Sequence, residues 1–190
     1  MPIIEPRRML SELTVRHVMR RITASVPADS TLDQAVRCQI KYKVNAVLAM
    51  ERDLDPVGVV SKTNIMGAYY AGVAISSPVR MIMTTPPEYC SPEDTLDHAL
   101  NLMRDKGVPR LYVPGETPCH GTGVLSYPDV VGLLYRFCRR CERNVLQKHS
   151  EFHEKIRVRE VMNRLVLTEA ATSTLTQIME KLSAHRYSAL

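Results

Sequence analysis

Apolar positions along this chain recur in blocks that follow one another in the same order. Leu96, Ala99, Leu100 and Met103 fall at i, i+3, i+4 and i+7, and Leu175, Ile178, Met179 and Leu182 repeat that spacing position for position. Leu32, Ala35 and Val36 open the same series; Gln39 interrupts its fourth position, where the neighbouring Ile40 is expected to substitute. One apolar face at helical period predicts three amphipathic helices. Each follows a short polar turn, Asp29-Ser-Thr-Leu32, Glu93-Asp-Thr-Leu96 or Thr172-Ser-Thr-Leu175. A hydroxyl there accepts a backbone N–H that the helix start leaves without a partner. The first two helices lead into β-rich runs, Val44 to Met50 and Val108 to Val113. A turn follows each (Glu51 to Pro56, and a longer one from Pro114 to Thr122), then a second run, Val57 to Ser61 or Gly123 to Ser126, which passes directly into another helix.

A shorter motif marks the start of each block. Val15-Arg-His-Val-Met19 recurs as Val79-Arg-Met-Ile-Met83 and as Val158-Arg-Glu-Val-Met162. Each full unit therefore reads β-α-β-β-α, and a unit of that size with one-sided elements must pack on another to bury its faces. The expected fold is mixed α/β, with two units joined as a pseudo-twofold pair. The expected divisions are an N-terminal arm (1–12), motif 1 (13–72), motif 2 (73–135), a charged helical linker (136–155) and a partial third motif (156–190). The third copy reaches Leu190 within its expected second strand, so it is read either as part of something longer or as a half unit completed by another chain.

Composition adds limits. With 45% hydrophobic and 24% charged residues the chain has a globular balance, and no run approaches the length of a membrane span. Five cysteines without a regular framework fit a reducing compartment, so a cytoplasmic location is expected. The formal charge is +5, and one segment carries most of it: Arg136 to Glu160 holds eight Lys/Arg against four Glu. No Trp and only two Phe accompany it, so stacking platforms beside cations are missing and a nucleic-acid partner is not expected.

The ordered set of motifs resembles tandem cystathionine-β-synthase (CBS) domains. It comprises Val-x-x-φ-Met, the turn with Asp-x-Thr-Leu, the Lys43-Val-Asn-Ala-Val47 and His185-Arg-Tyr-Ser-Ala-Leu190 strand openings, and Gly-φ-φ-Ser-x-x-Asp/Asn. The resemblance covers roughly residues 13–140 as a pair, with 156–190 as a broken third motif. It implies a regulatory sensor of adenosyl ligands (AMP, ADP, ATP or S-adenosylmethionine) held in clefts between paired motifs, with no catalytic activity and no required cofactor. Carried over residue by residue, it assigns Ser126 and Asp129 to the ribose, Arg110 to phosphate, and Met19, Ile22 and Ala24 to the adenine wall, with Val44 and Asn45 nearby. The second cleft departs from the pattern: Ser61 is followed by Asn64 instead of an acid, and Glu88 stands in its wall near Val108, which implies weaker binding. Independently of the family, a carboxylate can accept two bonds from a vicinal diol, and a helix start favours anionic groups. Ser126 and Asp129 also read as an ordinary capping pair.

Other constellations carry less. Cys138-Arg-Arg-Cys141 with His149 and His153 suggests zinc, but Leu134, Cys138, Cys141 and Val145 form one helical stripe. On a continuous helix Cys141 and His149 stand about 12 Å apart, too far for one ion, so no metal is expected. Arg136, Arg140 and Arg143 share the opposite, solvated face. Gly121-Thr-Gly123 lacks the third glycine of a dinucleotide loop, Cys119-His120 has no third member, and no nucleophile elbow or phosphate loop occurs. A homo-oligomer is expected, because the third helix lacks a sheet to cover it. The competing expectation is a CBS-type oligomerisation or adaptor scaffold without a physiological ligand.

Overall fold

The computed structural model describes residues 11–21, 23–51, 55–115, 123–145, 157–162, 164 and 166–185, with main chain only at 137–145, 160–161 and 183–185. The elements are β1 (Ser25–Pro27), α1 (Leu32–Tyr42), β2 (Ala46–Met50), β3 (Pro56–Ser61), α2 (Lys62–Tyr70), α3 (Leu96–Lys106), β4 (Arg110–Val113), β5 (Gly123–Ser126), α4 (Tyr127–Val145), α5 (Val158–Val161) and α6 (Leu175–His185). Single 3-10 turns stand at Val15–His17 and Val79–Met81. The first sheet runs β1-β2-β3, parallel then antiparallel, and the second pairs β4 with β5 antiparallel. In the second unit β1 is reduced to a parallel bridge from Tyr89 to Tyr112.

The helices begin where hydroxyls cap them. Thr31 Oγ1 accepts from Gln34 N, Thr95 Oγ1 from His98 N and Thr174 Oγ1 from Gln177 N. Gln34 and Gln177 return the bond to the cap backbone, closing reciprocal boxes. The expected substitution of Ile40 for Gln39 does not occur. Gln39 is 5% exposed while Ile40 is 71% exposed. The helical angle puts residue 39 on the core face, and its amide is tolerated because Nε2 donates to the Val60 carbonyl at 2.9 Å.

The two units exchange their opening turns. Val15 is buried with Leu96, Ala99, Met103, Leu111, Leu125 and Val130 of the second unit. Val79 is buried with Leu32, Ala35, Val47, Val60 and Ala68 of the first. Backbone bonds repeat the exchange by near-twofold symmetry: Val15 N donates to Asp94 O and Leu96 N to Leu13 O, while Val79 N donates to Ser30 O and Leu32 N to Ser77 O. Arg16 pairs with Glu93 as Arg80 pairs with Asp29. A third cluster of Leu48, Tyr112 and Val124 joins the units at the centre.

Of the third copy, α6 packs on α2 and buries Met179 while Leu175 stays exposed. Among the described residues it contributes no strand.

Candidate functional site

β5 delivers Ser126 to the first turn of α4, and the three-residue step to Asp129 lets the carboxylate fold back. Asp129 Oδ2 accepts Ser126 N–H at 2.9 Å and Ser126 Oγ–H at 2.5 Å. The opposite face of this cleft comes from the other unit. Arg20 and Val124 exchange both backbone bonds at 2.9 Å, which lays the segment after Met19 along β5. The close approach favours a glycine: a Cβ on Gly123 would sit 3.1 Å from Met19 Sδ and 3.2 Å from the Arg20 carbonyl. The Arg20 guanidinium then reaches Asp129, Nε to Oδ1 at 3.0 Å, with the arginine side chain 51% and the aspartate 13% exposed.

Arg110 lies directly across the ladder from Ser126. Its neighbour Tyr112 is buried at the centre and stacks edge-on to Tyr89 with centroids 6.5 Å apart. Burial raises the Tyr112 hydroxyl above its ordinary range; the charge of Arg110 and its hydrogen bond pull the other way, and Arg20 adds to that pull. Two guanidinium groups therefore converge near Tyr112 and Asp129, an arrangement suited to an anionic group beside a hydroxyl-bearing one.

The second cleft repeats this geometry with weaker chemistry. Asn64 Oδ1 accepts Ser61 N–H at 2.8 Å and Ser61 Oγ–H at 2.5 Å, and Asn64 Nδ2 donates to Thr84 Oγ1 at 3.3 Å. Thr84 bridges Val59 as Arg20 bridges Val124. A Cβ on Gly58 would meet Met83 Sδ at 2.5 Å, the counterpart of Gly123 with Met19.

The remaining expected residues fall on both sides. Val44 packs against the first unit's buried cluster, which includes Ala68, and the Asn45 carbonyl accepts Lys62 N–H, next to Ser61. Val108 packs with Val130, on the side of Ser126 and Asp129. The structure thus does not bring Val44 and Asn45 to Asp129, nor Val108 to Asn64. Ala24 pairs with β2, through its carbonyl and Leu48 N–H. Glu88 holds the matching place beside Tyr112 and carries an ion pair to Lys106 at 3.6 Å. Ile22, Cys119, His120, His149 and His153, and the side chains of Cys138, Cys141, Arg140 and Arg143, lie outside the described residues. Among those described, no three His, Cys, Asp or Glu side chains cluster as a metal site, and no helix is long and apolar enough to cross a membrane.

Sequence reasoning missed Tyr112 and the pairing of Arg20 with Asp129. The signal was present for Arg20: the residue after the repeated Met is Arg in the first copy and Thr in the second, opposite Asp129 and Asn64 respectively.

The CBS domain family model matches residues 15–71 and 79–135, more than half of the chain. The chain belongs to the CBS domain family. It is similar to a CBS domain protein of Pyrobaculum aerophilum solved with AMP, at 23% identity and a TM-score of 0.55 over 62% of this chain and 89% of that one. It is also similar to the CBS domain pair of protein MJ0100, solved with 5′-methylthioadenosine and S-adenosyl-L-methionine, at 16% identity and a TM-score of 0.58 over 64% and 95% of the two chains. A curated relative, an uncharacterized 33.4 kDa protein in the ribosomal RNA operon of Thermofilum pendens, is 28% identical over 108 residues, 56% of this chain. The match spans 35% of that relative's length. The family model matches two copies; the third expected copy at 156–190 is not among them.

Proposed function

We propose that this chain is a nucleotide-sensing regulatory module, not an enzyme, that binds an adenosine nucleotide (AMP, ADP or ATP) in the cleft of Ser126 and Asp129. The observation that carries it is the Asp129 carboxylate at a helix start, facing Met19 and Arg20 of the other unit with Arg110 beside it. Asp129 offers charged acceptance to ribose hydroxyls, and Arg110 a bidentate fork to phosphate. Solved relatives of the same fold hold AMP, methylthioadenosine or S-adenosylmethionine, which supports the ligand class. The clefts are unequal, because Asn64 Oδ1 already accepts two bonds from Ser61 and a neutral carbonyl has no third lone pair.

The test is calorimetric titration of the full chain with AMP, ATP and S-adenosylmethionine. Losing a hydrogen bond to a charged group costs about 1.5–3 kcal/mol, so Asp129→Ala is expected to weaken nucleotide binding roughly 10- to 100-fold. Asn64→Ala is expected to matter less; the reverse order would move the site to the other cleft. One observation favours a second reading, a scaffold without ligand: Arg20 already neutralises Asp129. Absence of any thermal shift with the three ligands would favour that reading. A cytoplasmic homo-oligomer completes the proposal, and light scattering that finds a monomer at high concentration would remove the oligomer.

A further inference from the structure

The Asp129 carboxylate is largely engaged by groups of this chain itself. A carboxylate has about four acceptor positions. Ser126 N–H and Oγ–H take both on Oδ2, and the Arg20 guanidinium stands against Oδ1 as an ion pair, Nε at 3.0 Å. A vicinal diol brings two donors and finds only Oδ1, with that charge beside it. The obstacle is the arginine side chain alone, because the Arg20 main chain is fixed by its two bonds to Val124. The guanidinium is half exposed and can swing away without disturbing the fold.

Resting on the nucleotide reading above, we infer that Arg20 is a latch that selects ligands by charge: its guanidinium pairs with Asp129 and must turn onto a ligand phosphate when a ribose takes its place. A phosphate restores to Arg20 the charge partner that the ribose removes. A neutral nucleoside leaves the guanidinium unpaired beside Arg110, and a sulfonium cation adds a third positive charge to the same cleft. At the second cleft the corresponding place is held by Thr84, whose neutral hydroxyl meets Asn64 where Arg20 meets Asp129. Ligand class at the first cleft is therefore set by Arg20 as much as by Asp129, and phosphate-bearing nucleotides are favoured over adenosine.

The experiment is titration of the full chain with adenosine and with AMP, in wild type, Arg20→Ala and Arg20→Gln, with an unfolding curve for each variant. The expected result has two parts. Adenosine binds the variants about 3–5-fold more tightly, because a partly exposed ion pair no longer has to break. The preference for AMP over adenosine falls about tenfold or more, because one charged phosphate contact is gone. A purely structural arginine would weaken both ligands alike, and that result, or an unchanged preference, overturns the latch. Adenosine binding only to the variants supports it. If neither ligand binds any of the three proteins, the nucleotide reading itself fails and the latch with it.

Discussion

Lys43 and Gly107 hold equivalent places, one residue past α1 and α3, and both are left-handed, at φ 52° and 63°. A side chain in that region clashes with its own carbonyl, which glycine avoids. Lys43→Gly is therefore expected to stabilise the chain by about 0.5–1 kcal/mol and Gly107→Ala to cost about 1 kcal/mol, read from urea unfolding midpoints. Cys90 poses a different residue-scale problem. It is buried, and burial with the nearby Asp94 pushes its thiol up to about 11 from 9.0. The unfolded thiol loses its proton near pH 9 while the buried one keeps it to about 11, so in that window the unfolded state binds fewer protons. Stability is expected to be intact below pH 9 and to fall as pH climbs towards 11. Cys90→Ala should flatten part of that slope, and an unchanged slope would mean that Cys90 does not titrate across the transition.

At the scale of elements, helices and strands were legible because local rules set them. Thr31, Thr95 and Thr174 cap the helices that their sequences announce, and the runs before Ser61 and Ser126 are strands. What the residues alone do not tell is where the Val-x-x-φ-Met turns go; only the family resemblance sets Met19 opposite Ser126 and Asp129. A 3-10 turn of three residues has no period to read, so nothing local says that Val15 leaves its own unit for the core beside Leu96 and Met103. The same holds for the site. The Ser126–Asp129 spacing is readable, but Arg20 reaches it only through the exchange, from more than a hundred residues away. The exchange is testable one side chain at a time. Val15 and Val79 are both 0% exposed, and deleting two buried methyl groups costs about 2 kcal/mol with its cavity. Val15→Ala and Val79→Ala should destabilise by similar amounts in denaturant titration.

On the scale of the whole molecule, exchanged turns make the pair one cooperative object. The core around Leu32, Val47 and Val60 is completed by Val79, and the core around Leu96, Leu111 and Leu125 by Val15. Neither unit can open without withdrawing a piece from the other, and both meet at Leu48, Tyr112 and Val124. Such coupling is what a sensor needs, because a ligand changes a distant surface only through its different affinity for two arrangements of a connected structure. The consequence can be measured without any ligand. Val79→Ala removes packing only from the first unit's core, so independent units would lose amide protection in β2 and β3 alone. A cooperative pair should lose protection in β4 and β5 as well, by the same free energy, because their slowest amides exchange only through global opening. Hydrogen exchange on this variant decides between the two. If β4 and β5 keep wild-type protection while β2 and β3 lose it, the units open separately, and the sensing role proposed for the Asp129 cleft would need a route other than the exchanged turns.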